Sequence, residues 1–290
     1  MSKSIRPIAA LAIAGTFALT ACGGGGGGDT LVVGSQDYYS NEIIAEVYAQ
    51  ALEEAGFTVE RDLRIGQREV YMPEIEEGNI DVFPEYTGNL LQYLVPDTKA
   101  TQSDEVYSEL SEAMPEGLRV LDQADASDQD SYVVLKTLAD EHGATAVGDL
   151  AGVEGLTLGG NSELESRPYG PQGLAEAYGV TVDFAPIEDS GGPLTVKALR
   201  DGDVEMVNIY SADPVLASDD LVRLEDPEGL LLASQVVPVV SEKVDEEAAS
   251  VIDEVSGKLT AEALVEMNAK SVEEEAAAAT IAKDWLAEQG

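Results

Sequence analysis

Glu77-Gly78-Asn79-Ile80-Asp81-Val82 leads on to Tyr86-Thr87, and Asp201-Gly202-Asp203-Val204-Glu205-Met206 leads on to Tyr210-Ser211. In both stretches a glycine is followed two residues later by Ile or Val, then by an acid, and eight residues later by a tyrosine with a hydroxyl neighbour. Each reads as a helix closed by glycine, a strand, and a loop at the strand's C-terminal end. A second echo lies upstream of each. Leu31-Val32-Val33 ends in Gly34-Ser35, and Ile43, Ile44, Val47, Tyr48 and Leu52 then recur at amphipathic-helix spacing before Gly56 and Phe57-Thr58-Val59. Likewise Leu156-Thr157-Leu158-Gly159-Gly160-Asn161 precedes a helical stretch around Leu174 and Tyr178, then Gly179 and Val180-Thr181-Val182. Strand, loop, helix, strand is the pattern of a parallel sheet. Two echoes in the same order predict two similar α/β lobes, each a mostly parallel sheet flanked by helices.

Working outward, the chain is expected to cross between lobes twice, near Ser131-Tyr132 and near Val236-Val237-Pro238, beside strand-like runs at 132–135 and 236–240. Lobe one then comprises residues 30–131 plus 237–290, and lobe two residues 132–236. The tail is rich in Ala and Glu, with Val251, Val255, Leu259, Leu264 and Met267 at helical spacing, and is expected to pack back on lobe one. Ligands of open α/β sheets bind outside the carboxyl ends of the strands. Tyr86 and Tyr210 fall there, one per lobe.

The N-terminus reads as a targeting segment. Lys3 and Arg6 precede an apolar run at 8–21, shorter than the ~20 residues that span a bilayer and of signal-peptide length. Leu19-Thr20-Ala21-Cys22 is similar to the lipobox of bacterial lipoproteins, which implies cleavage of residues 1–21 and lipidation of Cys22. The glycines at 23–28 have no side chains to pack and suit a flexible tether. Cys22 is the only cysteine, so neither a disulfide framework nor a cysteine metal site is available.

Sixteen Lys and Arg stand against 56 Asp and Glu, a formal net charge of −40. Such a chain repels nucleic acid and anionic lipid, and its acidity also suits a solvated, salt-adapted surface. An enzyme has little to work with. The single histidine, His142, lies in an acidic, turn-like stretch, and there is no Gly-x-Ser-x-Gly elbow or phosphate-binding Gly-Lys-Ser/Thr loop. Sequence-adjacent carboxylates such as Glu76 and Glu77 point apart and make poor acid–base couples. No cofactor is implied.

Eleven tyrosines against four phenylalanines and one tryptophan say more. Tyr38, Tyr39, Tyr71, Tyr86, Tyr132, Tyr169 and Tyr210 fall in or beside expected loops at strand ends, whereas Trp285 reads as a packing anchor in the last helix. A quaternary ammonium neither donates nor accepts a hydrogen bond, so a protein holds it with aromatic faces. Here those faces have to be tyrosines.

Gly34-Ser35 with Asn41, then Gly78-Asn79-Ile80-Asp81-Val82-Phe83-Pro84-Glu85-Tyr86-Thr87-Gly88, and Asn208-Ile209-Tyr210-Ser211-Ala212-Asp213 resemble the glycine betaine/choline/carnitine-binding lipoproteins of osmoprotectant ABC importers. The resemblance covers nearly all of the mature chain. It implies a two-lobed periplasmic-binding-protein fold of type II, anchored to the membrane by lipid, that closes on a small quaternary-ammonium ligand and docks on a permease. Tyr86, Tyr132 and Tyr210 match tyrosines of the family's cage, and Arg167 matches an arginine able to hold a ligand carboxylate. Asn41 stands where the family usually has Gln, and Gln67-Arg68-Glu69 where a small hydroxyl residue is common. The fourth cage tyrosine has no aligned match: Pro171 occupies its place and Tyr169 lies nearby, while the Tyr38-Tyr39 pair offers a substitute. The expected contacts are therefore Tyr86, Tyr132, Tyr210, Tyr39, Tyr169, Arg167, Asn41, Arg68 and Asn89. Arg68 with Arg167 favours a carboxylate-bearing ligand, and Glu69 favours choline. The competing expectations are the same fold binding another small polar solute such as an amino acid, or a lipid-anchored carboxylate hydrolase or adhesion domain.

Overall fold

The computed structural model describes residues 30–290. The signal segment, Cys22 and the glycine tether lie outside the described residues. The first sheet is begun by β1 (Leu31–Gly34), α1 (Tyr39–Glu54), β2 (Val59–Asp62), α2 (Arg68–Glu76) and β3 (Val82–Tyr86), followed by α3 (Thr87–Leu94), α4 (Ser103–Ala113) and β4 (Leu118–Val120). The chain then crosses to β5 (Asp130–Leu135), α5 (Lys136–His142), β6 (Thr157–Gly160), α6 (Pro171–Tyr178), β7 (Asp183–Pro186), α7 (Pro193–Asp201), β8 (Met206–Tyr210) and β9 (Leu221–Arg223). It returns through β10 (Val236–Ser241) and ends in α8 (Glu246–Ser256), α9 (Ala261–Glu273) and α10 (Ala278–Gln289).

The two sheets have the orders β2-β1-β3-β10-β4 and β7-β6-β8-β5-β9, which are the same arrangement written twice. The sequence echoes fall on equivalent elements. Gly202 caps α7 at φ +76 ahead of β8, and Gly78 follows α2 at φ +74 ahead of β3. Both positions are left-handed, where a Cβ is penalised and glycine is not.

The sheets are mixed rather than mostly parallel. β1 pairs in parallel with β2 and β3, and β6 with β7 and β8. The strand arriving from the other sheet inserts antiparallel: β10 opposes β3 and β4, and β5 opposes β8 and β9. Local periodicity registers the strand–helix–strand units and is blind to the direction in which a distant strand joins them. The second strand of each unit also begins later than its apolar run suggests. Val180 is buried in the core of the second sheet, and Phe57 packs against the core of the first, before the ladders of β7 and β2 start.

Burial explains which faces the helices choose. Ile43, Ile44, Val47, Tyr48 and Leu52 form the fully buried stripe of α1. This stripe shares one cluster with α8, α9 and α10, including Ile252, Met267 and Trp285. Removing each aliphatic side chain of such a stripe from water is worth roughly 1.5–3 kcal/mol. The opposite face of the first sheet is covered by Tyr71, Met72, Ile75, Leu90 and Leu91. Tyr71, expected in a loop, lies inside α2 with its ring stacked on Phe83 at 4.2 Å. β3 is therefore buried on both faces, Glu85 included. A buried carboxylate needs a partner, and that need shapes the site.

Candidate functional site

The carboxyl ends of β1, β3, β6 and β8 converge on one narrow, open-mouthed cavity. Four tyrosines line it. Tyr38 ends the loop after β1, Tyr86 and Tyr210 are the last residues of β3 and β8, and Tyr169 precedes α6. The Tyr38 hydroxyl donates to that of Tyr86 at 2.6 Å, and the Tyr38 and Tyr210 rings lie 5.0 Å apart, tilted by 51°. Burial, more than any neighbour, pushes all four hydroxyls above the ordinary phenol range. They are neutral, and their rings face the cavity as uncharged π surfaces.

The remaining expected residues divide into those that reach the cavity and those behind it. Asn89, in the first turn of α3, is oriented by Ser234, whose hydroxyl donates to Asn89 Oδ1 at 2.8 Å. Its Nδ2 donates to Asp130 Oδ2 at 2.5 Å and to the Tyr169 hydroxyl at 3.1 Å. Arg167 reaches the cavity and grips Glu69 through both terminal nitrogens, at 2.6 and 3.1 Å. Arg68 also lines it, with Nε and Nη2 on the two oxygens of Glu85 at 2.7 and 2.9 Å, and Tyr71 donates to the same carboxylate at 2.6 Å. Burial opposes the Arg68 charge, yet Glu85 outweighs it and holds the guanidinium protonated.

Asn41 sits one layer back. It accepts from the Gln36 amide at 2.8 Å and donates to the Pro84 carbonyl at 2.9 Å and the Tyr86 hydroxyl at 3.4 Å, so it positions the tyrosine rather than lining the cavity. Tyr132 is fully buried in the core around the second sheet, where its hydroxyl donates to the Tyr169 carbonyl. It supports Tyr169, which lines the cavity, and does not line the cavity itself. Tyr39 also points elsewhere: as the first residue of α1 it donates to Asp213 Oδ2 at 2.9 Å and lines a separate groove beside α7. Its neighbour Tyr38 takes the cavity position. Side chains one residue apart at a helix start diverge, and nothing in the dipeptide Tyr-Tyr says which of them turns inward.

Sequence reasoning missed Asp128, Asp130, Gln36, Asn161 and Asn208, which all line the cavity. Asp128 accepts from the Ala212 amide at 2.9 Å, and burial pushes its carboxyl up from 3.8 to about 7, with Asp213 and Asp130 adding to the rise. Burial likewise raises Asp130. The available signal was two acids alternating at the mouth of an otherwise apolar strand, hidden in a chain with 56 acidic residues. The two sheets are tied across the cavity by Arg167–Glu69 and Asn89–Asp130, and beside the separate groove by Tyr39–Asp213. Among the described residues no group of His, Cys, Asp and Glu has the arrangement of a metal site, and no helix is long and apolar enough to cross a membrane.

Comparison with known proteins places this geometry in context. A family model described as the substrate-binding domain of ABC-type glycine betaine transport systems matches residues 29–288. The glycine betaine-binding protein YehZ of Escherichia coli (strain K12) is 26% identical over 274 residues, covering 89% of this chain and 90% of that protein. Among solved structures, that of a glycine betaine/carnitine/choline ABC transporter superposes with a TM-score of 0.71 at 17% identity, over 89% of this chain and 98% of the other. Lactococcal OpuAC, in its closed-liganded conformation with glycine betaine, gives 0.66 at 16% identity, over 90% and 96%.

Proposed function

Because the chain belongs to the family of substrate-binding domains of ABC-type glycine betaine transport systems, we propose that it captures a quaternary-ammonium solute such as glycine betaine or choline between its lobes and delivers it to an ABC permease. The observation that carries this is the convergence of Tyr38, Tyr86, Tyr169 and Tyr210 on one cavity that also holds buried carboxylates. A trimethylammonium group gains nothing from hydrogen-bond donors, and it gains up to ~2 kcal/mol from each desolvated aromatic face. Four such faces supply at most about 8 kcal/mol, from which the cost of association is still to be subtracted.

The cycle is capture and release without covalent chemistry. Lobe one (residues 30–131 plus 237–290) brings Tyr38, Tyr86 and Asn89, and lobe two (residues 132–236) brings Tyr169, Arg167 and Tyr210. A ligand touching both stabilises the closed arrangement only by its differential affinity for it. The bond Arg167–Glu69 spans the same gap and adds to closure. In this scheme residues 1–21 direct export, and lipidated Cys22 with its glycine tether holds the receptor near its permease outside the cytoplasm.

Calorimetric titration of the purified protein with glycine betaine, choline and carnitine tests the proposal. Saturable one-to-one binding that Tyr86→Ala weakens by roughly 30-fold, the equivalent of one cation–π contact, is the expected result. Silence toward the whole panel from a folded protein leaves the fold with a different small polar solute, an amino acid being the next to try.

A further inference from the structure

We propose that Glu69 sets the net charge of the ligand: by occupying Arg167 it makes the cleft select a quaternary-ammonium cation with a neutral polar end over a zwitterion that carries a carboxylate. This rests on the quaternary-ammonium function proposed above and narrows it.

The argument is one of charge balance. Two arginines reach the cavity, and each is already answered. Arg68 is held by both oxygens of Glu85, which is fully buried and takes a third bond from Tyr71. A ligand carboxylate has no means of displacing so enclosed a partner. Arg167 is held by both oxygens of Glu69, which comes from the N-terminal turn of α2 on the other side of the cleft. This is the one guanidinium that a ligand carboxylate could compete for, and Glu69 stands in its place.

The carboxylates of the cavity are answered differently. Asp128 receives the Ala212 amide, and Asp130 the amide of Asn89. Neither forms an ion pair among the described residues. Glu163 also lines the cavity, and its Oε2 is buried without any hydrogen-bond partner. Counting Glu69 and Glu85, five carboxyl groups face two guanidiniums, and a bound cation favours the ionised form of Asp128 and Asp130, which burial opposes. The excess lies against the cage: Asp128 acts electrostatically on Tyr38, Tyr86 and Tyr210, and Asp130 on Tyr169 and Tyr210. A ligand of charge +1 reduces this excess, whereas a zwitterion leaves it standing and adds an anion with no free cation to meet it.

The neutral end follows from one further atom. Gln36 Nε2, on a residue 6% exposed that lines the same cavity, is buried without an acceptor. An unmatched buried donor calls for an acceptor on the ligand. A hydroxyl oxygen accepts without bringing charge and has a proton to give to a neighbouring carboxylate.

Choline and glycine betaine are the probes, because they share the trimethylammonium group and differ in the hydroxyl and carboxylate ends. Titration of wild type should show choline binding at least about tenfold tighter than glycine betaine. Glu69→Gln alters a side chain that is 46% exposed, and circular dichroism checks its fold. In that variant the freed Arg167 should raise glycine betaine affinity enough to narrow the ratio about tenfold, and adding Arg167→Gln should remove the gain. Wild type binding glycine betaine as tightly as choline, or a ratio unmoved by Glu69→Gln, overturns the charge assignment while leaving the quaternary-ammonium function intact. If the folded protein binds neither probe, both proposals fall together.

Discussion

The hydroxyl of Tyr38 donates to that of Tyr86 at 2.6 Å, while the Tyr38 ring lies 5.0 Å from that of Tyr210. One side chain thereby joins the loop after β1 to the end of β3 and meets the end of β8 in the other sheet. Tyr38→Ala should therefore remove one aromatic wall and unfasten a second, lowering ligand affinity by 30-fold or more, since one cation–π contact alone is worth up to ~2 kcal/mol. Tyr39→Phe should leave the cage untouched and lose only the bond to Asp213, a bond to a carboxylate worth about 1.5–3 kcal/mol of folding stability. Titrating both variants with the same ligand decides between them. Equal losses would place Tyr39 in the cage.

This pair also shows where the sequence stops being legible. The α/β repeat could be read because glycine at a left-handed helix end and apolar runs are local properties, as at Gly202 before β8. Tyr86 and Tyr210 could be placed because a strand's C-terminal end is defined by the same local pattern. The direction of β10 beside β3 and the choice of Tyr38 over Tyr39 depend on residues distant in sequence. So does the position of Tyr132, whose place on a strand fits the cleft until its hydroxyl is found on the Tyr169 carbonyl. Asp128 and Asp130 escaped because an acid is informative only against a neutral background, which this chain lacks.

Asp128 gives the site a pH dependence. Its carboxyl is raised to about 7 chiefly by burial, with Asp213 and Asp130 adding to the rise, while the Ala212 amide and Ser40 hydroxyl oppose it; the phenols of Tyr38, Tyr86 and Tyr210 also face it. The folded protein thus binds this proton more tightly than the unfolded chain, whose carboxyl titrates near 3.8. The contribution to stability is complete below that value and is lost as pH rises through 7. Melting of the ligand-free protein should show it: the Tm of Asp128→Asn should gain on wild type between pH 5 and pH 8. Capture of a cation needs the ionised form, so wild-type affinity should rise by up to about tenfold from pH 6 to pH 8. A rise of the same size in Asp128→Asn would assign the titration to another group.

Gly88 explains the last letter of the Pro-Glu-Tyr-Thr-Gly run. A Cβ built there would stand 2.7 Å from the Ala233 carbonyl oxygen and 2.9 Å from Leu232 Cβ, just ahead of the strand that returns from the second sheet. The Gly88 amide also donates to Ser234 Oγ at 3.1 Å. Gly88→Ala should push α3 off this segment at a cost of roughly 1–3 kcal/mol, the usual penalty of overpacking. It should also move Asn89, which Ser234 orients, so affinity and stability are expected to fall together. Urea denaturation and titration on the same sample test this, and an unchanged midpoint would mean that the returning segment yields easily.

Arg68 and Glu85 provide the sharpest test of what the cavity floor is for. Both are buried, paired through two hydrogen bonds, and joined by Tyr71. Removing one charge leaves the other without compensation, and such losses cost about 3–5 kcal/mol, whereas replacing both with apolar groups of similar volume is often neutral. Glu85→Gln and Arg68→Met should each lower the urea midpoint severely, and Arg68→Met combined with Glu85→Leu should recover most of the loss despite carrying two changes. Glu85 also accepts from the Tyr86 amide at 2.8 Å. The double variant should therefore fold yet bind ligand less well, because the backbone that aims Tyr86 loses its anchor. A double variant as unstable as the singles would show that Tyr71 and the Tyr86 amide, rather than the ion pair, hold this floor together.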